Sequence, residues 1–304
     1  MSASAAIRQI EEIICKDLGR GIQAAAGHLT VGNLECAARS IADHSSPSVA
    51  IITGFFIVSG NPAAAETDGP PGAVHMAAAF VTMGIPCRIV TDQPCEGALR
   101  ASLSAIGIED KVFLDIVGLA HQSDYSSIED VEAVWKTAKV THAISIERCG
   151  PSKNGDPRSA RGISLKDWTA PLDRLFVAGD WTQIAIGDGG NEIGMGALPH
   201  ELIAENVTKG DEIACAVSCD FLILAGVSNW GGWALAAALG LLKPEHKLGI
   251  LSRLNVETDN AVLQKLVDDG PSIDGIKGVQ SYSVDNFEQS VHNQMLNDIL
   301  KIVA

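Results

Sequence analysis

The chain has 304 residues, 46% apolar and 19% charged, with a formal net charge of −15. That composition excludes a disordered chain. The acidity, with no run of Lys or Arg to offset it, repels phosphate backbones and anionic headgroups, so neither nucleic acid nor a membrane is an expected partner.

In chain order, the first expected element is an amphipathic helix. Ile7, Ile10, Ile13, Ile14 and Leu18 share one face, with Glu11, Glu12 and Asp17 opposite, a pattern of neither a signal nor a transit peptide. A long apolar strand is expected at 49–58 and a helix at 72–83. A short strand at 87–90 runs into Thr91 and Asp92, and a helix at 95–106 follows. The series continues with a strand at 112–117, a helix at 128–139, a strand at 140–146, a long charged loop at 148–162 and a helix at 165–176. Strands at 183–186 and 221–227 come next, then a turn at 228–232, and helices at 233–242, 256–267 and 287–303. Alternation of this kind predicts right-handed crossovers and a three-layer α/β fold, a mostly parallel sheet with helices on both faces, in a single domain over 1–304. Segment 221–242 is uncharged and long enough to span a bilayer. Ser228, Asn229, Gly231 and Gly232 at its centre favour a buried strand, a turn and a buried helix instead.

Seven cysteines without dense regular spacing point to free thiols in a reducing compartment, read as the cytoplasm. Cys215 and Cys219 lack a second ligand pair for zinc and read as packed thiols. His75 and His142 read as capping or packed residues, and Trp230 and Trp233 as packing residues. The apolar richness is compatible with a homodimer.

Ligands of open parallel sheets bind beyond the carboxyl ends of the strands. The loops expected there carry Glu66 and Asp68, Thr91 and Asp92, Glu147 and Arg148, "GDGGNE" at 187–192, and "SNWGG" at 228–232. Acids sharing one crevice repel unless they hold a cation, share protons or face an Arg. Asp188 and Glu192 are therefore candidates for Mg²⁺ or another divalent cation, with glycines admitting close approach of backbone and ligand. Turn chemistry alone is the competing reading of each loop. No nucleotide cofactor is expected: Gly187 and Gly189 begin a G-x-G, but Glu192 stands where the third glycine belongs, and no P-loop occurs.

"GDGGNE" is similar to the GDGxND loop of haloacid-dehalogenase-type phosphatases, and "ETDGP" to their nucleophile loop. Glu66 replaces the nucleophilic Asp there and lies well past the strand end. A longer match covers nearly the whole chain. "AETDGPPGA" (65–73), "ISIERCGPSKNGDPRSARG" (144–162), "GDGGNEIGMG" (187–196) and "AGVSNWGGWALAAAL" (225–239) together resemble the C-terminal domain of the D-glutamate cyclase family. The resemblance implies a carbon-oxygen hydro-lyase that interconverts D-glutamate, or a related small acidic amino acid, and 5-oxo-D-proline. Eukaryotic mitochondrial members carry a further N-terminal domain. Under that chemistry Glu66 and Asp68 carry protons alongside Asp188 and Glu192. Arg148 and Arg161 grip the α-carboxylate, and Asn191, Asn229, Gly189 and Gly190 complete the substrate contacts. For Arg148 the competing reading is a salt bridge with Glu147 or Asp156. A Mg²⁺-dependent phosphohydrolase and a ligand-binding module without turnover are the alternatives.

Overall fold

A computed structural model describes residues 1–29, 32–120, 122 and 124–304. Its main sheet has six parallel strands: β1 (Val49–Thr53), β2 (Cys87–Asp92), β3 (Phe113–Val117), β4 (His142–Ile146), β5 (Thr182–Gly187) and β6 (Phe221–Leu224). Their order is β3-β2-β1-β4-β5-β6, with Val49 in register with both Cys87 and His142. The order reverses at the β1–β4 pair, which opens a crevice beyond Thr53 and Ile146.

Every residue of β1 and β4 is buried, which is why these strands read as continuous apolar runs instead of alternating ones. Successive side chains enter different layers. Ile51, Ile89, Ile144, Ile184 and Ile223 join a thick helical layer that includes Pro70–Thr82, Ser228–Leu242 and Gln289–Val303. Ile52, Val90, Ala143, Ala185 and Leu222 face the helices Ile128–Thr137 and Asp173–Phe176 and the irregular chain around them. The result is the three-layer α/β architecture expected. Two small antiparallel pairs lie outside the main sheet, Phe56–Ile57 with Ala64–Ala65 and Ser283–Val284 with Phe287–Glu288. The N-terminal helix Ala3–Ile14 buries Ile7, Ile10 and Ile14 and is capped by Ser2.

Three expected elements differ, each for a local reason. The strand at 49–58 ends at Thr53, because the Gly54 carbonyl accepts from buried Arg148 at 2.8 Å and Phe56–Ile57 turns back to pair with Ala64–Ala65. The helix at 165–176 is reduced to Asp173–Phe176. Pro171 has no N–H and disfavours helical backbone at Ala170, whose own N–H donates to Asp92 at 3.0 Å. The helix expected at 233–242 starts earlier, at Ser228, so the residues expected to form a turn make its first turns. No N-cap side chain closes this helix. Its first N–H groups instead reach the Asp68 carboxylate across the fold.

Gly232 shows why that stretch holds glycine. A Cβ there would lie 2.7 Å from both Cα and the carbonyl oxygen of Gly72, so the helices Ser228–Leu242 and Pro70–Thr82 meet backbone to backbone. Among the described residues, no helix is long and apolar enough to cross a membrane. Cys215 and Cys219 sit with thiols pushed up to about 12 by burial, and neither belongs to a candidate metal group among the described residues. His75 is packed against Asp259 at 3.1 Å, and Trp230 and Trp233 are core residues.

Replacing Gly232 by alanine would ordinarily favour a helix by up to about 1 kcal/mol. Here overpacking costs about 1–3 kcal/mol, so urea denaturation of Gly232→Ala is expected to show a net loss of stability. A gain would mean that the two helices can separate freely.

Candidate functional site

A cavity of about 260 Å³ lies beyond β1, β4 and β5. Glu66, Glu147, Asp188, Glu192, Asp285 and Arg20 form its polar side, and Phe55, Ile57, Val58, Val207 and Ile276 its apolar side. Asp68 lies directly behind the polar side, within ligand-sharing distance of Asp188 and Asp285. All six carboxylates are buried.

Each arrives from a different strand end or terminal segment. The excursion after β1 returns through Ala64–Ala65 and delivers Glu66 and Asp68 just ahead of the helix Pro70–Thr82. Ile273 holds this stretch in place, donating its N–H to Ala65 and accepting from Thr67, both at 2.9 Å. Glu147 follows β4 directly with a φ of +41°, a conformation that costs on the order of 1–3 kcal/mol in a non-glycine residue. It accepts from the Ser228 hydroxyl at 2.6 Å. The loop after β5 carries Asp188 and is closed by Glu192, whose two oxygens accept from the N–H groups of Asp188 (3.0 Å), Gly189 (2.6 Å) and Gly190 (2.7 Å).

The helix that follows β6 ties these loops together. Ser228 N–H donates to Asp68 at 2.9 Å and to Asp188 at 3.2 Å, and Asn229 N–H donates to Asp68 at 2.8 Å. The Asn229 side chain accepts from Gly69 and Gly72 and donates to the Thr67 carbonyl.

Two further residues come from the chain's outer segments. Arg20, in the loop after the first helix, pairs with Asp188 and lies 2.5 Å from Asp285. Asp285 stands in a two-residue turn with Asn286, both at positive φ (56° and 67°), between Ser283–Val284 and Phe287–Glu288. His292 holds that turn. Trp230 donates its indole N–H to His292 Nδ1 at 3.1 Å, so the ring proton resides on Nε2, which faces the Val284 and Phe287 carbonyls at 3.2 Å.

The electrostatics follow from crowding. Burial raises Glu66 well above the usual carboxylate range, with Asp285 and Asp68 adding to it, and among the described residues its Oε1 has no hydrogen-bond partner. Burial and Asp285 push Asp68 up to about 8, although three N–H donors favour its anion. Burial also raises Glu147, with Asp188 beside it, and raises Asp188 despite Arg20. For Arg20, burial opposes the charge, but Asp188 and Asp285 outweigh it and hold the guanidinium protonated.

The oxygen set fits a divalent cation. Ligand atoms of Asp68, Asp188 and Asp285 lie within 4.8 Å of one another, as do those of Glu147, Asp188 and Glu192, and Asp188 belongs to both groups. Hard carboxylate oxygens are the ligands that suit Mg²⁺ or Mn²⁺.

Measured against the sequence expectations, Glu66, Asp68, Asp188 and Glu192 come together. Arg161 reaches the cavity rim, held by Ser59 Oγ at 2.6 Å and the Ile276 carbonyl at 3.0 Å. Asn191 lines the cavity while donating to the Arg158 carbonyl. Arg148 does not line it. Its guanidinium is buried against Asp92 (2.5 Å), the Gly54 carbonyl and the Ala170 carbonyl, so its salt-bridge partner is neither Glu147 nor Asp156. The Asn229 amide braces the backbone ahead of the helix Pro70–Thr82, and the Gly189 and Gly190 N–H groups are turned onto Glu192, which leaves none of them free for a ligand. Sequence reasoning set Glu147 at the crevice without a role, and it missed Arg20 and Asp285 as members of the cluster. Asp-Asn between two short β-type runs was the legible hairpin signal for Asp285.

A family described as D-glutamate cyclase-like, C-terminal, matches residues 10–300. The chain is 36% identical over 254 residues to the mitochondrial D-glutamate cyclase of Homo sapiens, an alignment covering 80% of this chain and 40% of that protein. The chain thus spans well under half the length of that relative.

The raised carboxylates set the direction of the pH dependence. The folded state holds a proton on Asp68 up to about pH 8, whereas an unfolded Asp releases it near 3.9. Through Asp68, stability therefore falls as pH rises through that window. His142 and His292, kept neutral by burial, no longer contribute above about pH 7. In chelator, urea unfolding is expected to lose about 1 kcal/mol between pH 7 and 9 through Asp68. Asp68→Asn should show a correspondingly shallower fall. An equal fall in both proteins would assign the proton elsewhere.

Proposed function

We propose, from the premise that the chain belongs to the D-glutamate cyclase-like C-terminal family, that it is a hydro-lyase interconverting D-glutamate and 5-oxo-D-proline in the acidic cavity. The observation that carries this reading is the convergence of Glu66 with Asp188 and Asp285 in one cavity, with the buried Glu66 Oε1 lacking a hydrogen-bond partner among the described residues.

Lactam formation joins the α-nitrogen to the γ-carbon and breaks one γ carbon-oxygen bond. Two protons leave the ammonium and two reach the departing oxygen, which leaves as water. Glu66 suits this traffic. Its raised pKa keeps a proton available for the leaving oxygen, and the carboxylate so formed takes a proton from nitrogen. Asp68 is the weaker candidate for that role because it accepts three backbone N–H bonds and lies behind the cavity wall. A divalent cation held by Asp188, with Asp68 and Asp285 or with Glu147 and Glu192, supplies Lewis acidity toward the γ-carboxylate when bound. Phe55, Ile57 and Val58 limit water on the apolar side, and Arg161 at the rim is placed to meet an incoming carboxylate. The chain works as one domain in this reading, and its seven free cysteines favour a reducing compartment such as the cytoplasm.

Incubating the protein with D- and L-glutamate and both 5-oxoproline enantiomers, with Mg²⁺, with Mn²⁺ and with chelator, tests the proposal by chiral chromatography. Interconversion of the D pair is expected, and Glu66→Gln should lower kcat by about 10²- to 10⁴-fold with a smaller change in KM. No turnover under any condition would remove the lyase reading for this chain.

A further inference from the structure

Arg20 occupies a position that a cation should contest. Its guanidinium stands between Asp188 and Asp285, two of the three carboxylates whose oxygens converge within 4.8 Å. The fit is incomplete. Arg20 Nη2 lies 2.5 Å from Asp285 Oδ2 without hydrogen-bond geometry, and among the described residues both atoms lack a hydrogen-bond partner. A second observation points to a ligand: Glu66, 5% exposed, lines the same cavity, and its buried Oε1 has no hydrogen-bond partner among the described residues. One guanidinium therefore serves a buried cluster that has carboxylate oxygens to spare.

Gly21 is packed against the Asn206 carbonyl, so release of Arg20 is a movement of its side chain and not of the segment. Gly19 and Gly21 flank Arg20, both at positive φ (83° and 87°), and the Arg20 side chain lines the cavity and is 22% exposed. By contrast, Arg148 is bound to three buried acceptors. Of the arginines near the cavity, Arg20 alone among the described residues pairs with carboxylates of the Asp68–Asp188–Asp285 group.

We propose that Arg20 is a displaceable internal counter-ion: a divalent cation bound by Asp68, Asp188 and Asp285 takes the last two from it, and the released guanidinium becomes the anchor for a carboxylate of the ligand. This rests on the cation invoked above and not on lyase turnover. Cation and guanidinium compete for the same oxygens, so charge in the cluster stays compensated in both states. The exchange also orders the ligands, the metal first and the carboxylate second.

Calorimetric titration of Mn²⁺ into the substrate-free protein tests the competition. Arg20→Ala is expected to bind Mn²⁺ at least tenfold more tightly than the unaltered chain. Equal or weaker binding, or no binding by either protein, overturns the proposal, and the chromatographic assay still judges the lyase reading separately. A measurement on the unaltered protein covers the case in which Arg20→Ala does not fold. Phenylglyoxal modification of Arg20, read by peptide mass mapping, should accelerate when Mn²⁺ is added, and an unchanged or slower rate overturns the displacement. For the anchoring step the probe is glutarate, a dicarboxylate with no amino group to react. Its binding should require Mn²⁺ and weaken at least tenfold in Arg20→Ala, whereas binding indifferent to either overturns the anchor.

Discussion

The first turn of the helix Ser228–Leu242 is the constraint on which the site depends. A helix N-terminus has N–H groups that the helix cannot satisfy, and it carries partial positive charge. Here the donors of Ser228 and Asn229 go to Asp68 and Asp188, and the Ser228 hydroxyl goes to Glu147. Loops that follow β1, β4 and β5 are thereby fastened to the element that follows β6. The close Gly72–Gly232 approach sets the depth at which that helix seats, so backbone packing of two helices governs where the carboxylates stand.

Holding six buried carboxylates together is costly, and the fold offsets the cost in several ways at once. Backbone N–H groups serve Asp68 and Glu192, a hydroxyl serves Glu147, and Arg20 serves Asp188 and Asp285. What these leave uncompensated appears as raised pKa values, among them that of Glu66, whose Oε1 has no hydrogen-bond partner among the described residues. A retained proton and a paired guanidinium are two answers to the same excess of negative charge.

Rigidity is unevenly distributed around the cavity. Glu192, Asn229 and Arg148 are locked by multiple backbone contacts and shape the site without facing a ligand freely. Asp285 is supported from outside through Asp274, which accepts from the Asn286 N–H and the Ser283 hydroxyl, and through the Trp230–His292 link. Arg20 is held through its pairs with Asp188 and Asp285, the carboxylates that the proposed cation would take.

The strands of the main sheet were legible because buried parallel strands are continuous apolar runs, and Glu66, Asp68, Asp188 and Glu192 were legible because acids and glycines follow those runs. Element ends were harder. The strand at 49–58 stopped at Thr53 because a buried Arg148 claimed the next carbonyl, and the helix after β6 started at Ser228 because a carboxylate distant in sequence capped it. The sequence by itself therefore determined the alternating α/β layers, the acidic crevice at the strand ends and the family, all of which rest on local pattern and contiguous motifs. Only the tertiary structure decided that Arg20 and Asp285 join the cluster, that Arg148 leaves it for Asp92, and that the Gly189 and Gly190 N–H groups turn onto Glu192. Those choices are pairings between segments remote in sequence, made when burial forces every charge and donor to find its partner in three dimensions.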